Sequence, residues 1–289
     1  MPKTIAVTGG KGGTGKSTIS TLLAIGLSKE YRVLLVDADA DCPNLHIILK
    51  AKRKLLSEVK QTIPKWDFSK CIKCGKCSQV CKENAIVFVK GKYPIFVKEQ
   101  CIGCNACRII CPTKAIGKAE QKIGAIYFSE INSLNLSNLH LISSEMLITY
   151  EETSPIVNAL KKEVSKFKDK YDFVIIDTAA GTHCNVISAL LGVDFALAVT
   201  EPTPLGAHDL SLILSLTKKL NIPAFVLLNK ANMAKSKAEE IKSIATQFNT
   251  EIVSEIPYDK KIFEAYSSAN LEKMPESLYK PLIDFIKKK

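Results

Sequence analysis

The chain has 289 residues, 46% hydrophobic and 24% charged, with ten cysteines and a formal net charge of +11, a balance that excludes a disordered chain and suits one large α/β domain or a medium domain carrying a smaller one. No run of about 18 apolar residues occurs, the longest stretch, VISALLGVDFALAVTEP, being broken by Asp194, which excludes a membrane-spanning helix. MPKTIAVTGG lacks the charged-then-apolar pattern of a secretion signal, so the cysteines read as metal or redox chemistry in the reducing cytoplasm rather than as disulfides.

In chain order, TIAVTG (4–9) is a short apolar strand, and 16–30 reads as a helix with Ile19, Leu22, Leu23, Gly26 and Leu27 on one face. YRVLLVDAD (31–39) is a continuous apolar run suited to a central parallel strand. TIPKWDFSK then leads into the cysteines, which end in CPTKAIGKAE, after which IGAIYFSEI resumes strand-like alternation. DFVIID (172–177), DFALAVTEP (194–202) and AFVLLNK (224–230) repeat the buried-strand character, separated by helical stretches such as 155–169 and 206–219. The alternation predicts an α/β fold, a doubly wound, mostly parallel sheet with ligands at the carboxyl ends of its strands. Residues 1–62 and 120–289 form the two parts of that domain, and 63–119 form an inserted small α+β module.

The stretch VTGGKGGTGKST (7–18) carries the first chemistry. In its Gly10-x4-Gly15-Lys16-Ser17 spacing, glycines at 10, 12, 13 and 15 turn backbone N–H groups toward phosphate oxygens, Lys16 supplies charge for the β and γ phosphates, and Ser17 is placed to ligate Mg2+. KGGTGKST resembles the deviant phosphate loop of the MinD, ParA and nitrogenase iron protein group, and the likeness covers nearly the whole chain outside the cysteine segment. It implies a P-loop ATPase that binds ATP or ADP with Mg2+ through Gly10, Gly12, Gly13, Thr14, Gly15, Lys16, Ser17 and Thr18, and that dimerises with ATP so that Lys11 reaches the partner's nucleotide. By the same resemblance Asp39 belongs to switch I and orients water or contacts the Mg2+ shell, and DTAAG is switch II, with Asp177 on a Mg2+ water and Gly181 near the γ phosphate. Lys11, Lys16 and Asp39 are then the catalytic residues, with Ser17, Asp39 and Asp177 around Mg2+. Asn229 in LLNK matches the adenine-contacting asparagine, and Pro257 and Asp259 in IPYD match the loop around the base. Asp37 also matches an acid common in the group, whereas Asp41 reads as a surface carboxylate.

Cys71-x2-Cys74-x2-Cys77-x3-Cys81 is repeated as Cys101-x2-Cys104-x2-Cys107-x3-Cys111-Pro112. The spacing resembles bacterial two-cluster ferredoxins, in which the fourth cysteine of each run ligates the other cluster. That resemblance implies two [4Fe–4S] clusters, one on Cys71, Cys74, Cys77 and Cys111 and the other on Cys101, Cys104, Cys107 and Cys81, with zinc the competing occupant. Lys82 follows Cys81 where ferredoxins commonly have proline, which leaves that turn looser. Cys184 stands seven residues after Asp177, at the nitrogenase iron protein's ligand offset, but no cysteine lies between Cys111 and Asp177 to complete a subunit-bridging cluster. Cys42 reads as a small, partly buried residue beside switch I. The four histidines show no ligand spacing, and His183 alone stands beside switch II.

Residues 64–120 hold eleven Lys or Arg against four Asp or Glu, +7 of the +11, so much of the excess charge offsets thiolate clusters or meets an acidic redox partner, and nucleic acid ranks third. SLYKPLIDFIKKK reads as a last helix packed on the sheet, with a membrane-targeting helix as the weaker reading. The function expected is a dimerising, ATP-hydrolysing switch coupled to electron transfer or to docking of a redox or iron–sulfur partner. An Mrp-type iron–sulfur carrier and a ParA or MinD-type positioning ATPase are the alternatives.

Overall fold

The computed structural model describes residues 1–131, 136–148, 150 and 152–289. In chain order the elements are β1 (Lys3–Thr8), α1 (Lys16–Ser28), β2 (Val33–Asp37), α2 (Leu45–Ile48), β3 (Lys54–Trp66), α3 (Lys76–Gln79), β4 (Ile86–Val87), β5 (Ile95–Phe96), α4 (Ala106–Ile109), β6 (Ile116–Glu130) and β7 (Leu139–Met146). There follow α5 (Ser154–Ser165), β8 (Phe173–Asp177), α6 (Cys184–Leu190), β9 (Phe195–Thr200), α7 (Pro204–Lys219), β10 (Ala224–Asn229), α8 (Lys235–Gln247), β11 (Ile252–Ile256), α9 (Lys260–Ser267) and α10 (Lys280–Lys288).

Nine strands form one sheet in the order β11-β10-β9-β1-β8-β2-β7-β6-β3. The seven from β11 to β7 are parallel, while β6 runs antiparallel to β7 and β3 antiparallel to β6. The central strands are apolar on both faces because both are covered. Ile5, Val7, Leu35, Ile175, Leu197 and Leu227 share one core with α1 and α10. Their neighbours in sequence point the other way: Leu34, Val36, Val174 and Ile176 pack with α5, Ala6 and Ala196 with α6, and Ala198, Val226 and Leu228 with α7 and α8.

β3 is the element that hydrophobic alternation did not announce, since Leu55 and Leu56 are exposed. It pairs with β6 from Lys54↔Phe128 to Trp66↔Ile116, so the pair leaves the sheet as a long ribbon. The boundaries expected at 63 and 119 fall on one rung, Ile63↔Ala119. Both cysteine runs follow the ribbon's tip in the chain, with the hairpin β4–β5 between them, and the second folds back against Gln61 and Thr62 of β3.

The last helix lies on the body of the domain. Leu282, Ile283 and Ile286 of α10 are buried, and Ile283 packs so closely on Gly26 that a Cβ there would sit 2.1 Å from its Cδ1. Phe285 meets Phe225 at 4.9 Å and Lys287 pairs with Glu30 at 2.8 Å, so the apolar stripe that a membrane would need is already covered.

Candidate functional site

β1 ends in the glycine loop, and α1 begins directly after it. Gly13 and Gly15 have φ of 84° and 98°, the left-handed region where side chains are strained, and a Cβ on Gly15 would meet Asn229 Nδ2 at 2.3 Å. Gly15 caps α1 without a side chain, which leaves the first-turn amides for a ligand. A cavity of about 430 Å³ opens here, lined by Gly12, Gly13, Gly15, Lys16, Ser17, Thr18, Asp39, Asn44, Ala180, Asn229, Lys230, Pro257, Tyr258, Asp259, Phe263 and Tyr266, among others.

Most of the expected nucleotide residues therefore converge, and the exceptions have structural duties. Gly10 lies against α7, where a Cβ would be 2.1 Å from that of Asp209, and buried Thr14 offers its carbonyl to Asn229 Nδ2 at 2.8 Å. Gly181 donates its N–H to Gly9 O at 3.2 Å, tying switch II to the loop. Asp259 lines the cavity but also caps α9, accepting from Lys261 N at 2.8 Å.

Beneath the cavity, acids stand at the ends of adjacent strands. Burial pushes the Asp177 carboxyl up to about 6, with Asp39 adding to the rise and the Ser17 and Ser20 hydroxyls and Lys16 opposing it. Its Oδ1 is buried without a hydrogen-bond partner. Asp37 is raised well above the ordinary range, first by burial and then by Asp177, and accepts amide hydrogens from Asn44 and Leu45, each at 3.1 Å, so it anchors the chain after switch I. Burial lowers the Lys16 ammonium against the pull of Asp177 and Asp39, and its Nζ donates to Lys11 O at 3.0 Å. An orphaned carboxylate oxygen beside Ser17 fits a divalent cation, which would relieve the crowding of acids.

Two residues complete this site that motif reading missed. Glu201, at the end of β9, pairs with Lys11 Nζ and with Lys230 Nζ, each at 2.7 Å, and Lys230 also donates to Gly13 O at 3.0 Å. Burial alone would raise the Glu201 carboxyl, but those two lysines hold it below its ordinary value. The available signal was an acid closing an apolar strand, as Asp37 and Asp177 close theirs.

At the ribbon's tip a second, smaller cavity of about 20 Å³ is lined by Cys71, Cys74, Cys77 and Cys111 together with Trp66, Ile72, Lys76, Thr113, Ala115 and Ile116. Cys111 of the second run thus joins the first three cysteines, and its Sγ accepts from Ala115 N at 3.3 Å. Trp66 Nε1 is buried without a partner beside these thiols. On the other side, burial pushes Cys107 up to about 11, with Cys101 and Cys104 pushing the same way, and Cys101 is raised by burial and then by Cys104 and Cys81. Among the described residues no three Cys, His, Asp or Glu side chains converge as they would around one metal ion. None of the ten cysteines is in a disulfide. Cys42 is exposed rather than partly buried, and Cys184 opens α6 with His183 as its N-cap.

A parallel sheet, a glycine loop between β1 and α1, a buried loop lysine and acids at neighbouring strand ends define a P-loop nucleotide-binding protein. The family model described as the CobQ/CobB/MinD/ParA nucleotide binding domain matches residues 5–271, and the chain belongs to that family. It is 38% identical over 264 residues to an uncharacterised protein of Methanocaldococcus jannaschii, covering 91% of this chain and 88% of the relative. It is 25% identical over 273 residues to the septum site-determining protein MinD of Thermotoga maritima, covering 92% and 79%. Among solved structures, MinD of Pyrococcus horikoshii complexed with Mg-ADP shares the fold with a TM-score of 0.61 at 18% identity, covering 100% of this chain and 97% of that one.

Proposed function

We propose that the chain is an ATP-hydrolysing, ATP-dependent homodimer whose nucleotide state is coupled to two [4Fe–4S] clusters held at the ribbon's tip. The observation that carries the cluster reading is the mixed lining of the second cavity, three cysteines of one run with the fourth of the other. Amide donation to Cys111 Sγ and the unpartnered indole N–H of Trp66 suit thiolate ligands, which are stabilised by N–H donors. Bound there, the clusters supply one-electron redox chemistry.

At the nucleotide site the first-turn amides of α1 and Lys16 bind and orient the phosphates. Ser17, Asp39 and Asp177 would hold Mg2+, which supplies charge neutralisation between the β and γ phosphates. Asp39 lines the cavity where an attacking water is to be oriented. Lys11, released from Glu201, reaches the partner's nucleotide.

Coupling has a route through the chain. Ala40, next to Asp39, accepts from Met146 N at 2.9 Å, and Leu147 N donates to Ile123 O of β6 at 2.9 Å. Tyr150, buried at the end of that segment, lies beside Glu99 and Cys101, and Gln61 Nε2 of β3 donates to Cys101 O. Among the described residues, Met146 and Leu147 thus contact both the segment after Asp39 and β6, and Tyr150 N donates to Leu147 O at 3.0 Å, a route from switch I toward the second cysteine set.

Anaerobic purification tests the reading. It expects a brown protein with iron and sulfide near eight each per chain, and redox titration with and without a non-hydrolysable ATP analogue separates coupling from mere coexistence. A colourless, iron-free chain ends it. A positioning ATPase is the second reading, favoured by the likeness to MinD of Thermotoga maritima. ATP-stimulated, salt-sensitive binding to anionic vesicles or DNA supports it, whereas transfer of a labelled cluster to an apo-protein supports an iron–sulfur carrier.

A further inference from the structure

The two cysteine runs are copies of one pattern, so each position has a counterpart, and their differences separate the uses of the two halves. Lys73 corresponds to Gly103, and Lys76 to Ala106. Gly103 has φ of 74° and faces β3, where a Cβ would lie 2.8 Å from Gln61 Cγ and 3.0 Å from Thr62 O, so that half is packed against the ribbon. Lys73 adopts the same left-handed backbone, φ 55°, although glycine is less strained there, and its side chain is exposed.

Around the first half lies an apolar surface with a cationic edge. Ile72 is 63% exposed, Phe68 45% and Tyr93 43%. The Phe68 and Tyr93 rings meet at 4.7 Å, tilted by 51°, and Lys73 Nζ stands 4.4 Å above the Tyr93 ring. Cys74 is the exposed thiol of its set. Lys73 and Lys76 are exposed and make no ion pair with any described residue. An apolar centre edged by lysines without an ion pair beside an exposed ligand position has the anatomy of a transient docking surface, and the +7 of residues 64–120, which stays positive after two dianionic cysteine-ligated clusters are counted, selects its partner by sign.

We infer that this face, centred on Ile72 and Cys74, docks a small acidic one-electron carrier protein whose carboxylates meet Lys73 and Lys76. The inference rests on the two-cluster reading. Cys71, Cys74, Cys77 and Cys111 would hold the cluster, which would accept the one electron that the reduced carrier gives up, with no bond made or broken and no proton moved.

The test uses the holoprotein and an acidic two-cluster [4Fe–4S] ferredoxin as probe, with calorimetry for affinity and stopped-flow mixing for the rate of electron transfer. Lys73→Glu/Lys76→Glu should weaken binding and slow transfer about tenfold or more at low salt, and added salt should weaken the wild type likewise. Lys65→Glu/Lys118→Glu, the same charge change on the ribbon, should change either less than about threefold, and the rate of reduction by previously reduced riboflavin, a small donor that needs no docking surface, should be equal in all proteins. Because Lys76 lines the cavity, Lys73→Gly serves as a second variant: it installs the counterpart's residue, keeps the iron content and should still weaken binding. Affinity indifferent to salt, or equal losses in the two double variants, overturns the inference while an intact iron content leaves the cluster reading standing. An iron-free wild type removes both.

Discussion

Individual carboxylates and lysines of the nucleotide site carry opposing demands of stability and chemistry. Asp177 titrates at about 6 in the folded chain against 3.8 ordinarily, so its ionisation opposes folding. With the folded value raised, the favourable contribution is complete below about pH 4 and is lost as pH rises through about 6, a difference on the order of 2–3 kcal/mol. Asp177→Asn should therefore be more stable than wild type without nucleotide at pH 7, the gap closing toward pH 4 in thermal denaturation, while Mg2+-dependent stabilisation by ADP disappears. Lys11 is held at 2.7 Å by Glu201 within its own subunit, so the trans role needs that ion pair to open. Lys11→Ala should keep nucleotide affinity within about threefold and lose ATP-dependent dimerisation, measured by light scattering, because the lysine binds no ligand in its own cavity. A Lys11→Ala chain that still dimerises with ATP would place the lysine outside the interface.

Among the elements, α1 and α10 are mutually constrained and the β7–α5 connection is shared between switch and module. Gly26 and Ile283 leave no slack, so Gly26→Ala should overpack the contact and cost about 1–3 kcal/mol, and Ile283→Ala should open a cavity and cost about 2–5 kcal/mol, both read from urea denaturation. Vesicle binding should be indifferent to either change, since the stripe of α10 is spent inside the fold. Tyr150 makes a different prediction, because its N–H is bonded to Leu147 O next to Met146, which donates to Ala40 O, while its hydroxyl lies within electrostatic reach of Cys101. Tyr150→Ala should leave the iron content intact but remove about half or more of any nucleotide-dependent shift in cluster potential.

For the whole molecule, coupled sites typically exchange about 1–3 kcal/mol, and a tenfold change in a one-electron equilibrium is about 59 mV. A non-hydrolysable ATP analogue should accordingly move a cluster potential by some tens of millivolts, and identical potentials with and without it would leave two independent machines on one chain. The glycine loop, Lys16 and the eight paired cysteines were legible because each is a local spacing that the backbone turns into a local shape: glycine reaches the left-handed region at Gly13 and Gly15, and two residues between cysteines return the thiols to one side. The buried strands were legible for the same reason, their neighbours in sequence alternating between two covered faces. Only the tertiary structure set Glu201 between Lys11 and Lys230, brought Gln61 to Cys101, and turned 54–66 into one side of a ribbon with its partner fifty or more residues away in the chain. Those contacts depend on strand order and register, which are chosen by the burial of the whole sheet rather than by any short stretch of residues.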